Sequence, residues 1–288
     1  MQMNKLFKTI FFTFILIIFS LPVSANPSGS DFFGRKIMMP AKPVRILSLT
    51  PATTEILYLL GLEKNIIGVT NDCNYPPDAA KKNKVGKFGS IDLEKIVSLK
   101  PDIIFATSDM NKQLDVLKNY TIPVIALNTP SLISVIKNVE LVGKLTHTEK
   151  QSALLKEQYS KRIKNVSEKA KKSNHPNIFY CIWHDPLITA GKNSFIGNMI
   201  DILGAKNIAE DINSSYARYS TESLIAKNPD YIIIPKTTFK NINFNLIPWS
   251  RLKAVKNKKV FVVNEDTYLR PAPRIINALE ELQEYLAK

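Results

Sequence analysis

Short apolar runs of strand length alternate with stretches of helical spacing along most of this chain. Arg45 to Leu49 and Ile66 to Thr70 are two such runs. Between them, Thr50-Pro-Ala-Thr-Thr-Glu55 carries a capping hydroxyl, a proline suited to a first helical turn and an early carboxylate. It predicts a helix from Thr53 to Leu60, stopped by Gly61. The alternation continues with a helix over Leu93 to Leu99, a strand over Asp102 to Ala106 and a helix over Lys112 to Tyr120. A strand over Pro123 to Leu127 and a helix over Leu132 to Leu145 follow. Strands alternating with helices predict parallel βαβ units whose sheets are covered on both faces.

The pattern then breaks. Thr148 to Lys172 holds no Gly or Pro, and Leu154, Leu155, Tyr159, Ile163 and Val166 recur at helical spacing. This stretch is too long for an ordinary crossover and predicts a spine between two lobes. Beyond Pro176 the alternation resumes. Strands are predicted over Asn177 to Trp183, Tyr231 to Pro235 and Lys259 to Val263, with helices over Ser194 to Leu203, Thr221 to Ala226 and Pro273 to Ala287. The fold class is therefore α/β: two Rossmann-like lobes, 44–147 and 174–288, joined by one long helix over 148–173. One internal echo supports paired lobes. Leu93-Glu94 running to Pro101-Asp102 is matched by Thr221-Glu222 running to Pro229-Asp230, each an acidic-capped helix, a Pro-Asp turn and a buried strand.

The N terminus changes the picture from a cytoplasmic to an exported protein. Lys5 and Lys8 precede an apolar run from Ile10 to Leu21, and Val23-Ser24-Ala25 follows as a small-residue cleavage pattern. The run is about twelve residues, short of the roughly 20 needed to cross a bilayer. Residues 1–25 are read as a signal peptide with cleavage near Ala25, and 26–43 as a loosely packed leader. No Cys near Ala25 supports a lipid anchor. Removing the two leader lysines lowers the formal charge from +14 to +12. The lysines are scattered, no nucleic-acid module is present, and the excess reads as a solvated surface. Cys73 and Cys181 are too few for a disulfide framework and read as buried thiols. His147, His175 and His184 have no metal-ligand spacing, so no metal site is expected. Neither a nucleophile elbow, a phosphate loop nor a dinucleotide fingerprint occurs, and an enzyme is not expected.

A set of short motifs, in order, carries a family resemblance. Leu49 to Glu55, Asn74-Tyr75-Pro76-Pro77, Val85-Gly86 with Phe88, Leu93-Glu94 to Pro101-Asp102, Thr189-Ala190-Gly191-Lys192 and Arg270-Pro-Ala-Pro273-Arg274 resemble the helical-backbone solute-binding proteins of ABC importers. These proteins serve uptake of vitamin B12, haem and iron–siderophore complexes, and the likeness is greatest to the vitamin B12 binders. It runs from about Val44 to the C terminus. The resemblance implies a periplasmic, monomeric protein whose partners are a small-molecule ligand and the membrane subunits of an importer. It implies a corrinoid in a cleft between the lobes, with a ferric siderophore or haem as the alternative.

By the same resemblance Tyr75, Phe88 and Tyr216 line the cleft, with Ala52 and Thr53 on its N-lobe rim and Asp266 and Arg270 as polar contacts. Phe88 and Tyr216 stand where the family has tryptophans, and Thr107 at a third such position. Trp183 adds an aromatic on the C-lobe side. A corrin is a wide disc with apolar faces and polar edges, so flat walls and a few fixed donors and acceptors suit it. Glu94 and Glu222 match the acidic residues that dock such proteins on importer arginines. Tyr75, Tyr216, Tyr219 and Tyr268 keep a haem ligand open, and Arg218 or Arg270 could meet its propionates.

Overall fold

The computed structural model describes residues 28–38, 40, 42–171 and 174–287; the signal peptide assigned to residues 1–25 lies outside them. Among the described residues, no helix is long and apolar enough to cross a membrane. The first element is a small antiparallel hairpin of β1 (Ser28–Ser30) and β2 (Lys36–Met38). The segment is not loose, as its composition predicted. Asp31 is buried and receives the Arg35 guanidinium, whose remaining donors reach the carbonyls of Lys118, Tyr120 and Ile122. The Phe32 amide donates to the Val124 carbonyl at 2.8 Å. A single side chain thus ties the leader to the edge of the N-terminal lobe.

That lobe is built on a four-stranded, wholly parallel sheet in the order β4-β3-β7-β8. Its members are β3 (Ile46–Ser48), β4 (Ile66–Val69), β7 (Ile103–Thr107) and β8 (Val124–Leu127). A two-stranded hairpin, β5 (Gly86–Lys87) and β6 (Ser90–Ile91), stands beside it. Alternate residues of the strands enter two different clusters, Phe105 on one face and Ile104 on the other, so both faces are covered. Helix α1 (Pro51–Leu59) starts at Thr50, whose side chain accepts from the Thr53 amide. Helix α2 (Leu93–Ser98) is capped by Asp92. The helix predicted over Lys112 to Tyr120 is cut to α3 (Asn111–Leu114) and a 3₁₀ turn. The Lys118 and Tyr120 carbonyls accept from Arg35 instead of being left unpaired at a helix end.

Helix α4 (Leu132–Leu145) closes the lobe and turns into the spine, α5 (Glu149–Ala170). The two pack so closely that a Cβ at Gly143 would collide with Ser152. Leu155, Tyr159, Val166 and Ala170 are buried along α5, whereas Leu154, one residue round the helix, is exposed. Arg162 donates to both oxygens of Glu280 at 2.8 and 2.6 Å, and Gln283 to the Val166 carbonyl at 3.2 Å. Both partners lie on α11 (Ile275–Leu286), the last helix of the C-terminal lobe. One apolar cluster therefore runs from Ile46 and Phe105 through Leu155, Tyr159 and Val166 to Ile196 and Leu279.

The C-terminal lobe departs from the all-parallel expectation. Its sheet order is β12-β10-β9-β13-β14, with β11 (Lys206–Asn207) also parallel on β9. Strands β9 (Asn177–His184), β13 (Tyr231–Pro235) and β14 (Val260–Val263) are parallel. Strand β10 (Leu187–Ala190) folds back antiparallel on β9, and β12 (Tyr216–Arg218) pairs antiparallel with β10. A local apolar run fixes that a strand forms but not its direction. Only two residues, Asp185 and Pro186, separate β9 from β10, which is hairpin length and too short for a crossover. Helices α6 (Phe195–Ile202) and α7 (Thr221–Lys227) fall where the sequence predicted them.

Arg35→Ala would leave its carbonyl partners unpaired. It should cost about 2 kcal/mol, read as a lower urea midpoint at unchanged m value.

Candidate ligand-binding site

A cavity of about 440 Å³ opens between the lobes. The N-lobe wall comes from residues just beyond the C-terminal ends of its parallel strands, where open α/β sheets bind ligands. Thr50, Pro51 and Ala52 follow β3, Asp72 follows β4, and Thr107 ends β7 with Asp109 beyond it. The C-lobe wall holds Ile182 from β9, Tyr216 from β12 and the stretch Leu269 to Pro271. The stretch follows the short helix α10 (Glu265–Tyr268).

Phe88 stands at the tip of the β5–β6 hairpin and remains 45% exposed. Asp72 holds the hairpin in place by accepting the Phe88 amide at 2.6 Å. Gly86 lets the two strands close up: it has φ +101°, and a Cβ there would collide with the Ser90 carbonyl oxygen and lie 2.9 Å from the Asp92 amide nitrogen. Across the cleft stands Tyr216. It keeps 48% of its surface, yet its phenol is crowded by the cleft walls. That desolvation, with Asp109 adding a negative charge, pushes its pKa up to about 12. Asp109 accepts from the Thr107 hydroxyl at 2.5 Å.

Polar links cross from lobe to lobe beside the cavity. Arg270 pairs with Asp266 at 2.5 Å and donates to the Asn74 side-chain oxygen at 2.8 Å. The Asn74 amide in turn donates to Asp266 at 2.9 Å, closing a ring of three side chains. Beneath it, Arg274 donates twice to one oxygen of Glu55, at 3.0 and 2.8 Å. The same guanidinium lies 3.8 Å from the centre of the Tyr75 ring. Glu55 is 2% exposed, and its second oxygen has no partner among the described residues. Burial raises its pKa, and the opposing pull of Arg274 only partly offsets this.

Residues 46–267 match the periplasmic binding protein family. The chain belongs to that family. A substrate-binding lipoprotein of an ABC transporter in Bacillus subtilis, YvrC, is 33% identical over 263 residues, covering 88% of this chain and 83% of the relative. The vitamin B12-binding protein of Pectobacterium atrosepticum is 29% identical, over 86% of this chain and 90% of its own. Among solved structures, the periplasmic vitamin B12-binding protein BtuF of Vibrio cholerae superposes with a TM-score of 0.77 at 26% identity. It covers 85% of this chain and 97% of that one. A possible iron-binding protein from Staphylococcus epidermidis has a TM-score of 0.75 at 30% identity, with 86% and 100% covered. The family is one of solute-binding transport proteins rather than enzymes, and this chain is a solute-binding protein of the ABC-transport class.

Within this periplasmic binding protein, the residues singled out from sequence divide by position. Ala52, Phe88, Tyr216 and Arg270 line the cavity. Thr53 does not: it is fully buried in a hydroxyl cluster, 2.6 Å from Ser48 and 3.1 Å from Thr50. Tyr75 lies outside the lining, with Arg274 over its ring. Trp183 is likewise outside it. Neighbours along a strand face opposite ways, so Ile182 takes the cleft and the Trp183 indole N–H donates to the Asp185 carbonyl at 2.7 Å. Asp266 stands behind Arg270 rather than on the wall.

Asp72, Asp109 and Asn74 were missed as site residues. Asn74-Tyr75-Pro76-Pro77 marked the place, but nothing local pointed to a partner almost 200 positions away. Cys73 is enclosed against the Thr70 hydroxyl at 3.2 Å, and burial raises its pKa and that of Cys181. Glu94 and Glu222 are exposed, each the second residue of its helix, α2 and α7. The Ser220 hydroxyl donates to Glu222 at 2.7 Å and holds its pKa down.

Arg274→Met would strip the buried Glu55 of its counter-charge. Because burial raises the folded-state pKa of Glu55, its charging penalty is absent below the unfolded value and grows as pH rises through the folded value. The variant should therefore lose about 3 kcal/mol near neutral pH and distinctly less in mild acid, measured by urea unfolding across that range.

Proposed function

We propose that this protein is exported, captures cobalamin or a related corrinoid between its lobes and hands it to an ABC importer. The observation that carries the reading is the make-up of the cleft wall. Two aromatic rings, Phe88 and Tyr216, come from opposite lobes. The charged groups on the wall are two carboxylates, Asp72 and Asp109, and one guanidinium, Arg270, already paired with Asp266. Such a wall accepts more hydrogen bonds than it donates. It suits a disc with apolar faces whose edge carries neutral amide N–H groups. It is a poor match for haem propionates or a polyanionic siderophore, which call for unpaired cations.

Haem also finds little support among the tyrosines. Tyr268 is buried and donates to Glu281 at 2.6 Å, and Tyr219 donates to the Ile208 carbonyl at 3.0 Å. Tyr216 alone stands on the wall. A ferric ligand would need its phenolate, and both desolvation and Asp109 favour the neutral phenol. The relatives that bind vitamin B12 agree with this reading. The likeness to a possible iron-binding protein of Staphylococcus epidermidis keeps iron as the second candidate. Glu94 and Glu222, at equivalent places on the two lobes, supply the docking carboxylates. On a rigid body they would set orientation more than affinity.

Calorimetric titration with cyanocobalamin, haemin and a ferric hydroxamate should give tight binding with cyanocobalamin alone; silence with every corrinoid at micromolar concentration would end the proposal. Phe88→Ala and Tyr216→Ala should each weaken corrinoid binding about tenfold, the loss of roughly 1.4 kcal/mol of stacking and burial. Glu94→Lys with Glu222→Lys should abolish stimulation of the importer's ATPase while leaving ligand affinity unchanged; a drop in ligand affinity would contradict the docking role.

A further inference from the structure

The crossover from β13 to β14 has a composition unlike the rest of the chain. Between Asp230 and Glu265 there is no Asp or Glu, while Lys236, Lys240, Arg251, Lys253, Lys256, Lys258 and Lys259 fall within it. Two of these cations are occupied: Lys253 pairs with Asp230 at 2.8 Å, and Lys259 meets the Tyr231 hydroxyl at 2.9 Å. Lys236, Lys240, Arg251 and Lys256 are exposed and have no carboxylate partner among the described residues.

The same crossover presents its apolar side chains outward. Leu246 is 60% and Ile247 61% exposed, the two highest values among the exposed large apolar residues. They are not on a loose tip. Phe239, Phe244 and Trp249 meet in series within the same crossover, in tilted and edge-on contacts with ring centres 5.1 and 5.8 Å apart, and Trp249 is buried in the lobe's second apolar cluster. The Ser250 amide donates to the Leu246 carbonyl at 3.0 Å, and that of Leu246 to the Asn243 carbonyl at 3.1 Å. Two of the cations adjoin these rings along the chain. Lys240 follows Phe239, and Arg251 lies two residues past Trp249.

We infer that this edge of the C-terminal lobe is a docking surface for an anionic lipid bilayer. Aliphatic side chains held outward on a rigid base enter the headgroup–acyl boundary, and unpaired cations around them meet lipid phosphates. Charge complementarity selects the bilayer over a protein partner: the patch offers cations and aliphatics with no carboxylate to register against a protein's own cations. The inference is independent of what fills the cleft, because no residue of the patch lines it. Its consequence is that the protein searches for its importer along the membrane plane.

The test is co-sedimentation of the chain from Asn26 onward with vesicles rich in phosphatidylglycerol, against vesicles of phosphatidylcholine alone. Pelleting with the anionic vesicles only is expected, falling steeply between about 0.05 and 0.5 M salt as the cations are screened. Leu246→Ser with Ile247→Ser should weaken partitioning at least about tenfold, and Lys236→Gln with Lys240→Gln by a similar factor. Both pairs are exposed, so unchanged thermal unfolding and unchanged cyanocobalamin titration confirm folded variants. Equal pelleting with both lipids, none with either, wild-type partitioning of the Leu246/Ile247 variant, or binding only to membranes that carry the importer would each overturn the inference.

Discussion

The burial of one face of α5 against both lobes at once sets everything else. Its first half packs on α4, where Gly143 lets Ser152 approach, and its second half on α6 and α11. Leu155, Tyr159 and Val166 belong to a core that does not stop at the lobe boundary. Pulling the lobes apart would expose that shared apolar surface, at about 25 cal/mol for each Å². The cleft is consequently held at one width by a continuous core rather than by a flexible linker. A preset opening of this kind lowers the ordering cost of capturing a rigid, disc-shaped ligand.

The polar contacts beside the cleft depend on that fixed separation. Glu55 with Arg274, and Asn74 with Asp266 and Arg270, are pairs that meet only because the lobes are already in place. An isolated buried ion pair is weak evidence for stability, since desolvation offsets the attraction. Here the raised pKa of Glu55 and its unpartnered oxygen show that offset directly. Orientation is the better account of the arrangement. Arg274 holds Tyr75 and Glu55 together, and Asn74 aims Arg270 along the cavity wall. The wall itself keeps acceptor capacity at Asp72 and Asp109 beyond the Phe88 amide and the Thr107 hydroxyl that they already receive.

Much of the fold could be read along the chain because its signals are local. Thr50 caps its helix as its side chain predicted, and Glu94 and Glu222 sit at the same position of matched helices. The leader was misread because its anchors are backbone carbonyls at Lys118, Tyr120 and Ile122, which leave no mark in the residues that carry them. Strand β10 was not foreseen: it is four residues long, and its pairing follows from the two-residue link that folds it back on β9. Within the site, Phe88 and Tyr216 were correctly placed on the cavity and Trp183 was not. A strand's alternation fixes that Ile182 and Trp183 face opposite ways, but not which of them meets the other lobe.

The sequence by itself determined most of the longer helices and the parallel strands, the two α/β halves, the spine between them and the equivalence of the two acidic helix starts. Each follows from residues a few positions apart, through hydrogen bonding to nearby backbone and the periodic burial of side chains. Tertiary structure alone decided which side chains share the cleft, that Thr53 is sealed in a hydroxyl cluster, and that Asn74 closes a ring with residues of the opposite lobe. It also decided that Leu246 and Ile247 stay outside, beside a crossover braced by three aromatic rings in contact with one another. Those outcomes depend on distances across the packed molecule, set by how the apolar faces of the two lobes meet on α5.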